Sequence, residues 1–204
     1  KEFTKESFVA HASPVMTTIV NEGFFADVVV VVEGVSDASA LWALQDIQSR
    51  NWDALGISVV PTTGKNSIDR PVVVFRGLGI PTYFVFDGDS RHSGTAKQDK
   101  TVQSNHLLLR LAGVATEDFP MTAAFPSWAV FNDQLESEIK LAIGVENFDR
   151  IRQAIADKLV YDQPSAVMKN PEGVSKFVRM VYAEGKHIPI LEDIVARITA
   201  LRPP

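Results

Sequence analysis

The sequence predicts an α/β protein, with a parallel sheet flanked by helices and a mostly helical second part. Three observations predict it. Val28-Val29-Val30-Val31-Val32 is an unbroken β-branched run that stops on Glu33, the pattern of a strand buried on both faces. Two more short apolar runs follow, Gly56 to Val60 and Thr82 to Phe86. Helical periodicity fills the gaps between the three runs. The order is therefore β-α-β-α-β with short connections, which right-handed crossovers turn into a parallel sheet.

Residues 1–13 are polar and mixed, and are expected to lead in from a preceding region, since the chain starts on Lys1. Ser13-Pro14 has the form of a helix start, a serine cap before proline at the first helical position. That helix is expected to reach Glu22 and stop at Gly23. Strand one is expected over Asp27 to Val32. Gly34 lets the chain turn, Ser36 is the expected cap of the next helix, and Asp37 falls in its first turn. Ala40, Leu41, Leu44 and Ile47 give that helix an apolar face. Strand two leads to the turn Thr62-Thr63-Gly64-Lys65-Asn66-Ser67. A helix from Ser67 to Leu78 follows, with Pro71 early enough to be tolerated. Strand three ends in Asp87-Gly88-Asp89-Ser90.

Beyond Ser90 the texture changes. Arg91 to Lys100 reads as a polar loop, Val102 to Leu111 as a short helix, Gly113 to Phe125 as irregular chain and Trp128 to Phe131 as a fourth strand. Helices are expected over Gln134 to Ile143, Phe148 to Leu159, Gly173 to Ala183 and Leu191 to Leu201. The division expected is thus a lead-in over 1–13, an α/β core over 14–131, and helices over 132–204 forming one compact unit with it. Trp42, Trp52 and Trp128 are expected to pack internally.

Composition narrows the function. The 204 residues hold no cysteine, which excludes disulfides, thiolate zinc sites and thiol catalysis. A reducing, cytoplasmic setting is the simplest match. No apolar run approaches the roughly 20 residues of a membrane span. The net charge of −5 argues against nucleic-acid binding by bulk charge, though not against a local basic patch beside an acidic centre.

In a parallel sheet the ligand crevice lies at the C-terminal ends of the strands. Glu33, Thr63 to Lys65, and Asp87 to Asp89 all fall on that edge. Asp87 and Asp89 share one side of the strand if the extension continues through Gly88, and Asp37 lies one helical turn beyond Glu33. Carboxylates gathered this closely repel unless a cation joins them. Hard dications with oxygen ligands are the usual solution, so Mg²⁺ or Mn²⁺ is expected. Two such ions about 4 Å apart support in-line phosphoryl chemistry.

Glu33-Gly34-Val35-Ser36-Asp37 together with Asp87-Gly88-Asp89 resembles the Toprim domain of topoisomerases, primases and related nucleases. The fuller wording, Val-Glu-Gly-Val-Ser-Asp, then Thr-Gly-Lys-Asn, then Phe-Asp-Gly-Asp, is similar to the OLD (overcoming lysogenization defect) nucleases over residues 14–90. The resemblance implies a Toprim-like sheet with a helical insertion and closing helices. It also implies a DNA endonuclease that uses two divalent ions, coupled to an ATPase domain earlier in the same protein. Glu33, Asp87 and Asp89 would hold one ion, while Asp37 and Glu136 would help hold a second. Asp133 and Glu138 are lesser candidates beside Glu136. Lys169, ahead of Pro171, would stabilise charge on the scissile phosphate, with Lys176 as fallback. Position 37 is aspartate where many relatives have glutamate, and Arg91 stands where topoisomerases have a third acid.

Thr63-Gly64-Lys65 lacks the spacing of a Walker motif, so no ATP site is expected there. Backbone contact with nucleic acid at Gly64 and Lys65 is expected instead. Arg70, Arg76, Arg91, Lys97 and Lys100 would form a basic rim that holds phosphates without reading sequence. His92 is a weaker candidate for metal or DNA. Two alternatives stay open: an Asp-x-Asp phosphatase or transferase, and a DNA-binding regulatory module without catalysis.

Overall fold

The computed structural model describes residues 22–202. The lead-in over 1–13 and, but for Glu22, the helix expected from Ser13 lie outside the described residues. Among these residues the strands are β1 (Val28–Val32), β2 (Ile57–Pro61), β3 (Thr82–Asp87), β4 (Ala123–Ala124) and β5 (Trp128–Phe131). The α-helices are α1 (Val35–Ile47), α2 (Asp69–Gly77), α3 (Gln98–Ala112), α4 (Leu135–Ile143), α5 (Val145–Leu159), α6 (Pro171–Ala183) and α7 (Pro189–Ala200).

The five strands form one sheet in the order β2-β1-β3-β5-β4. Parallel pairing aligns Val28 with Ile57, Val31 with Phe84, and Asp87 with Phe131. Only the two-residue β4 runs antiparallel, against β5. The valine run is central, and all five side chains are fully buried. Val28, Val30 and Val32 pack into a core shared with Leu44 of α1, Phe148 of α5, Phe177 of α6 and Ile194 of α7. Val29 and Val31 point the other way, into a core with Val72 and Phe75 of α2, Leu108 of α3, and Phe84, Phe86 and Trp128. Burial on both faces is the physical reason for an apolar run without alternation.

This arrangement also fixes where a ligand binds. From β1 the chain crosses by α1 to β2 on one flank. It then returns by α2, over the opposite face, to β3 on the other flank. Winding therefore reverses between β1 and β3, and the crevice of an open α/β sheet lies at such a switch, at the C-terminal strand ends. Glu33 follows β1, and Asp87 closes β3.

Several expected bounds shift. Gly34, in an extended conformation, caps α1 in place of Ser36. The Asp37 carboxylate accepts the Gly34 backbone N–H at 3.0 Å, half of a capping box. A 3-10 turn, Lys65–Ser67, precedes α2. Helix α3 starts at Gln98, four residues ahead of the expected Val102. Its first turn, Gln-Asp-Lys-Thr, is polar and gives no apolar period to read. A short strand, β4, interrupts the stretch expected to be irregular, and a 3-10 helix, Pro164–Lys169, leads into α6. Trp52 and Trp128 are buried as expected, but Trp42 is 44 % exposed.

Candidate metal centre

The exits of β1 and β2 are laced together. Val32 O accepts the Thr62 N–H at 2.9 Å, and Glu33 O accepts the Gly64 N–H at 2.9 Å. Gly64 sits at φ 122°, a conformation that favours glycine. The chain can then turn sharply into Lys65–Ser67, and the Lys65 side chain crosses to the end of β3. There its ammonium donates to the Asp87 carbonyl oxygen and to Asp89 Oδ2, the latter at 3.1 Å.

The exits of β1 and β3 are joined directly. Glu33 Oε1 accepts the Asp87 backbone N–H at 2.8 Å. Past Asp87 the strand does not continue. Gly88 lies so close to the chain after β5 that a Cβ there would stand 2.5 Å from Asn132 O. Asp89 adopts the left-handed conformation, φ 56° and ψ 40°. The expected extension through Gly88 is thus corrected: a left-handed turn, not strand pleating, aims the second aspartate. Backbone bonds fix this turn, from Asp89 N–H to Asp133 O at 2.9 Å and from Ser90 N–H to Asn132 O at 3.1 Å. From the other side, the fully buried Asn105 of α3 donates to Gly88 O at 2.9 Å and to Asp118 O at 2.7 Å.

The electrostatics are those of too much buried negative charge. Burial raises the Asp87 carboxyl well above its usual range, and the charges of Glu33, Asp37 and Asp89 raise it further; Lys65 alone pulls it back. Burial pushes Glu33 up to about 7, against the Asp87 N–H and the Lys65 ammonium. Burial likewise pushes Asp37 up to about 6, against its bond from the Gly34 N–H. Both oxygens of Asp89 are taken by cations. Lys65 holds Oδ2, and Arg91 holds Oδ1 at 2.5 Å while its other nitrogen reaches Asp133 Oδ1 at 2.6 Å.

These residues fit a hard dication by chemistry. The donors are carboxylate oxygens, and among the described residues no hydrogen bond offsets the burial of the Asp87 carboxylate. They do not form a finished cage: among the described residues no three acids stand arranged to hold an ion. Both Asp89 oxygens are engaged by Lys65 and Arg91, so a dication there would take the place of at least one of these cations.

The remaining expected residues divide. Glu136 of α4 is paired with Lys140 at 2.8 Å and lies 3.8 Å from Arg152. Glu138 accepts from Thr122 Oγ1. Asp133 is engaged by Arg91 and by Ser137 Oγ, which holds its carboxyl below the usual range despite partial burial. Lys169 ends the 3-10 helix ahead of Asn170, which caps α6. No ion pair ties Lys169 to another of the described residues, while Lys176 pairs with Glu172. His92 Nδ1 faces Thr101 Oγ1 at 2.9 Å, and Arg76 donates to Leu111 O over the Phe84 ring. The feature sequence reasoning missed is the Lys65 side chain. Its position after β2 predicts a backbone contact with nucleic acid, whereas its ammonium enters the acidic cluster. The available signal was a lysine on the same sheet edge as three acids.

A glutamate after the central strand, beside an Asp-x-Asp at the end of the neighbouring parallel strand, defines a Toprim-type α/β domain. Residues 24–89 match the family described as overcoming lysogenization defect protein-like, TOPRIM domain. The match falls within the stretch, residues 14–90, that carries the resemblance to that family. Solved structures agree over most of the chain. The C-terminal region of the Burkholderia pseudomallei OLD protein superposes with a TM-score of 0.60 at 16% identity, covering 88% of this chain and 100% of that one. The C-terminal region of the Xanthomonas campestris pv. campestris OLD protein gives 0.55 at 17% identity, covering 88% and 96%. At these identities the likeness is one of fold. No curated protein matches the chain. No helix among the described residues is long and apolar enough to cross a membrane.

Proposed function

We propose that this chain is the nuclease unit of an OLD-type protein, a DNA endonuclease dependent on Mg²⁺ or Mn²⁺. One observation carries the reading. The Asp87 carboxylate is buried at the switch point with Glu33, Asp37 and Asp89 acting on it, and the Lys65 ammonium offsets them. Such a cluster is costly for stability alone, and it matches the oxygen donor set of a divalent ion.

Glu33, Asp87 and Asp89 hold the first ion, and Asp37, fixed at the start of α1, contributes charge toward a second. Glu136 serves the second ion only after exchanging Lys140. When bound, the ions supply Lewis acidity and an activated water for phosphodiester hydrolysis. Arg91, with the backbone at Gly64 and Lys65, takes the DNA backbone, and Lys169 stabilises charge developing on the scissile phosphate. An ATPase domain in the same protein and a cytoplasmic setting complete the proposal.

A second reading is favoured by one observation: both oxygens of Asp89 are already neutralised. On that reading the domain binds DNA without cutting it. Plasmid nicking with Mg²⁺ or Mn²⁺ separates the two. The nuclease reading expects nicking by the wild type and none by Asp87→Ala. Equal conversion by both proteins overturns it, and DNA retention without nicking selects the second reading.

A further inference from the structure

Lys65 is buried to 9 % side-chain exposure, and Asp89 to 15 %. Arg91, which holds the other oxygen of Asp89, is 42 % exposed. The two cations are therefore not equivalent. An exposed guanidinium exchanges with water at little cost. A buried ammonium is different, because removing it strands buried charge.

The position of this ammonium is also particular. It donates to the main-chain oxygen of Asp87 and to the carboxylate of Asp89. One positive charge thus bridges Asp87 O and Asp89 Oδ2, on the two aspartates proposed to hold the ion. The lysine comes from the exit of β2, and its backbone is held there by the Gly64 N–H bond to Glu33 O. Its four-carbon stem lets the ammonium leave while the turn stays in place.

We propose that Lys65 is a built-in counter-ion for the metal-free centre, which a divalent ion must displace from Asp89. Lys65 is a positioning residue in this role: it sets how tightly the ion binds and offsets the charge of the acidic cluster. The lysine and the ion compete for Asp89, so the lysine weakens ion affinity. This inference rests on the metal-binding reading above and adds to it that the resident cation belongs to the chain.

The test is Mn²⁺ binding, followed by electron paramagnetic resonance of free Mn²⁺, on the wild type, Lys65→Met and Lys65→Arg. The expected result is binding about tenfold tighter in Lys65→Met and close to wild type in Lys65→Arg, with a lower metal-free Tm for Lys65→Met. Unchanged or weaker binding in Lys65→Met, while the wild type binds, overturns the counter-ion and leaves the metal reading standing. Absence of binding in all three overturns both. A second measurement needs no variant: the Lys65 ammonium resonance of ¹⁵N-labelled wild type during a Mg²⁺ titration. Its proton exchange should accelerate as the ion binds, and an unaltered resonance at saturation contradicts displacement.

Discussion

Glu33 Oε1 accepts the backbone N–H of Asp87 at 2.8 Å, a bond that spans 54 positions of sequence and joins the ends of two adjacent strands. It places the first acid of the cluster against the second. It is also a bond that glutamine can preserve, which makes the charge of Glu33 separable from its geometry.

The first prediction concerns pH. Glu33 is raised from its ordinary 4.5 to about 7 in the folded protein. The folded state therefore binds more protons than the unfolded state between these values, and stability falls as pH rises through that window. In metal-free buffer, Glu33→Gln should match the wild type near pH 4.5. By pH 7.5 it should exceed the wild type by on the order of 2 kcal/mol. Asp37 and Asp87 move in the same direction, so some slope remains in the variant. Thermal melts of the pair across this range check it, and a constant difference contradicts it.

Asp87→Asn should separate stability from activity. Removing one of several crowded buried charges should raise the metal-free Tm, because burial and the neighbouring acids disfavour the carboxylate. The same change should abolish nicking. A variant that loses both stability and activity would show that the Asp87 carboxylate serves folding.

Asn105 tests the support behind the aspartates. It is fully buried and donates to Gly88 O and Asp118 O. Asn105→Leu keeps the size and strands both carbonyls, which should cost about 2 kcal/mol. Urea unfolding reads the loss. Mn²⁺ affinity should fall with it, because Gly88 connects the two aspartates.

Gly88→Ala is expected to be worse tolerated than an ordinary loop substitution. The added Cβ would stand 2.5 Å from Asn132 O and 2.9 Å from Phe131 O, both backbone atoms. Either β3 or the chain after β5 must shift, at about 2 kcal/mol. A Tm within a degree of wild type would contradict the close approach.

The sheet was readable because burial on both faces leaves the same mark on every central strand. Val28 to Val32 and Thr82 to Phe86 carry no polar alternation, and helical segments separate them. That order also placed Glu33 and Asp87 on one edge. Asp89 was not readable. Its left-handed backbone depends on bonds to Asn132 and Asp133, more than forty residues away, and no local pattern encodes that contact. The Lys65 side chain was hidden for a related reason. Its turn resembles a phosphate loop locally, and only the packing of β2 beside β1 and β3 brings the ammonium to Asp89. The cap of α1 is Gly34 and not the expected Ser36, since Asp37 supplies the capping oxygen from within the helix.

The central claim is that Glu33 and Asp87 together hold a divalent ion. Crystals of this chain soaked in Mn²⁺, with anomalous diffraction measured at the manganese edge, test it most directly. The account predicts an anomalous peak about 2.0 to 2.3 Å from carboxylate oxygens of Glu33 and Asp87, with Lys65 moved off Asp89. Saturating Mn²⁺ with no peak between these residues, or with peaks only at other surface acids, would contradict it.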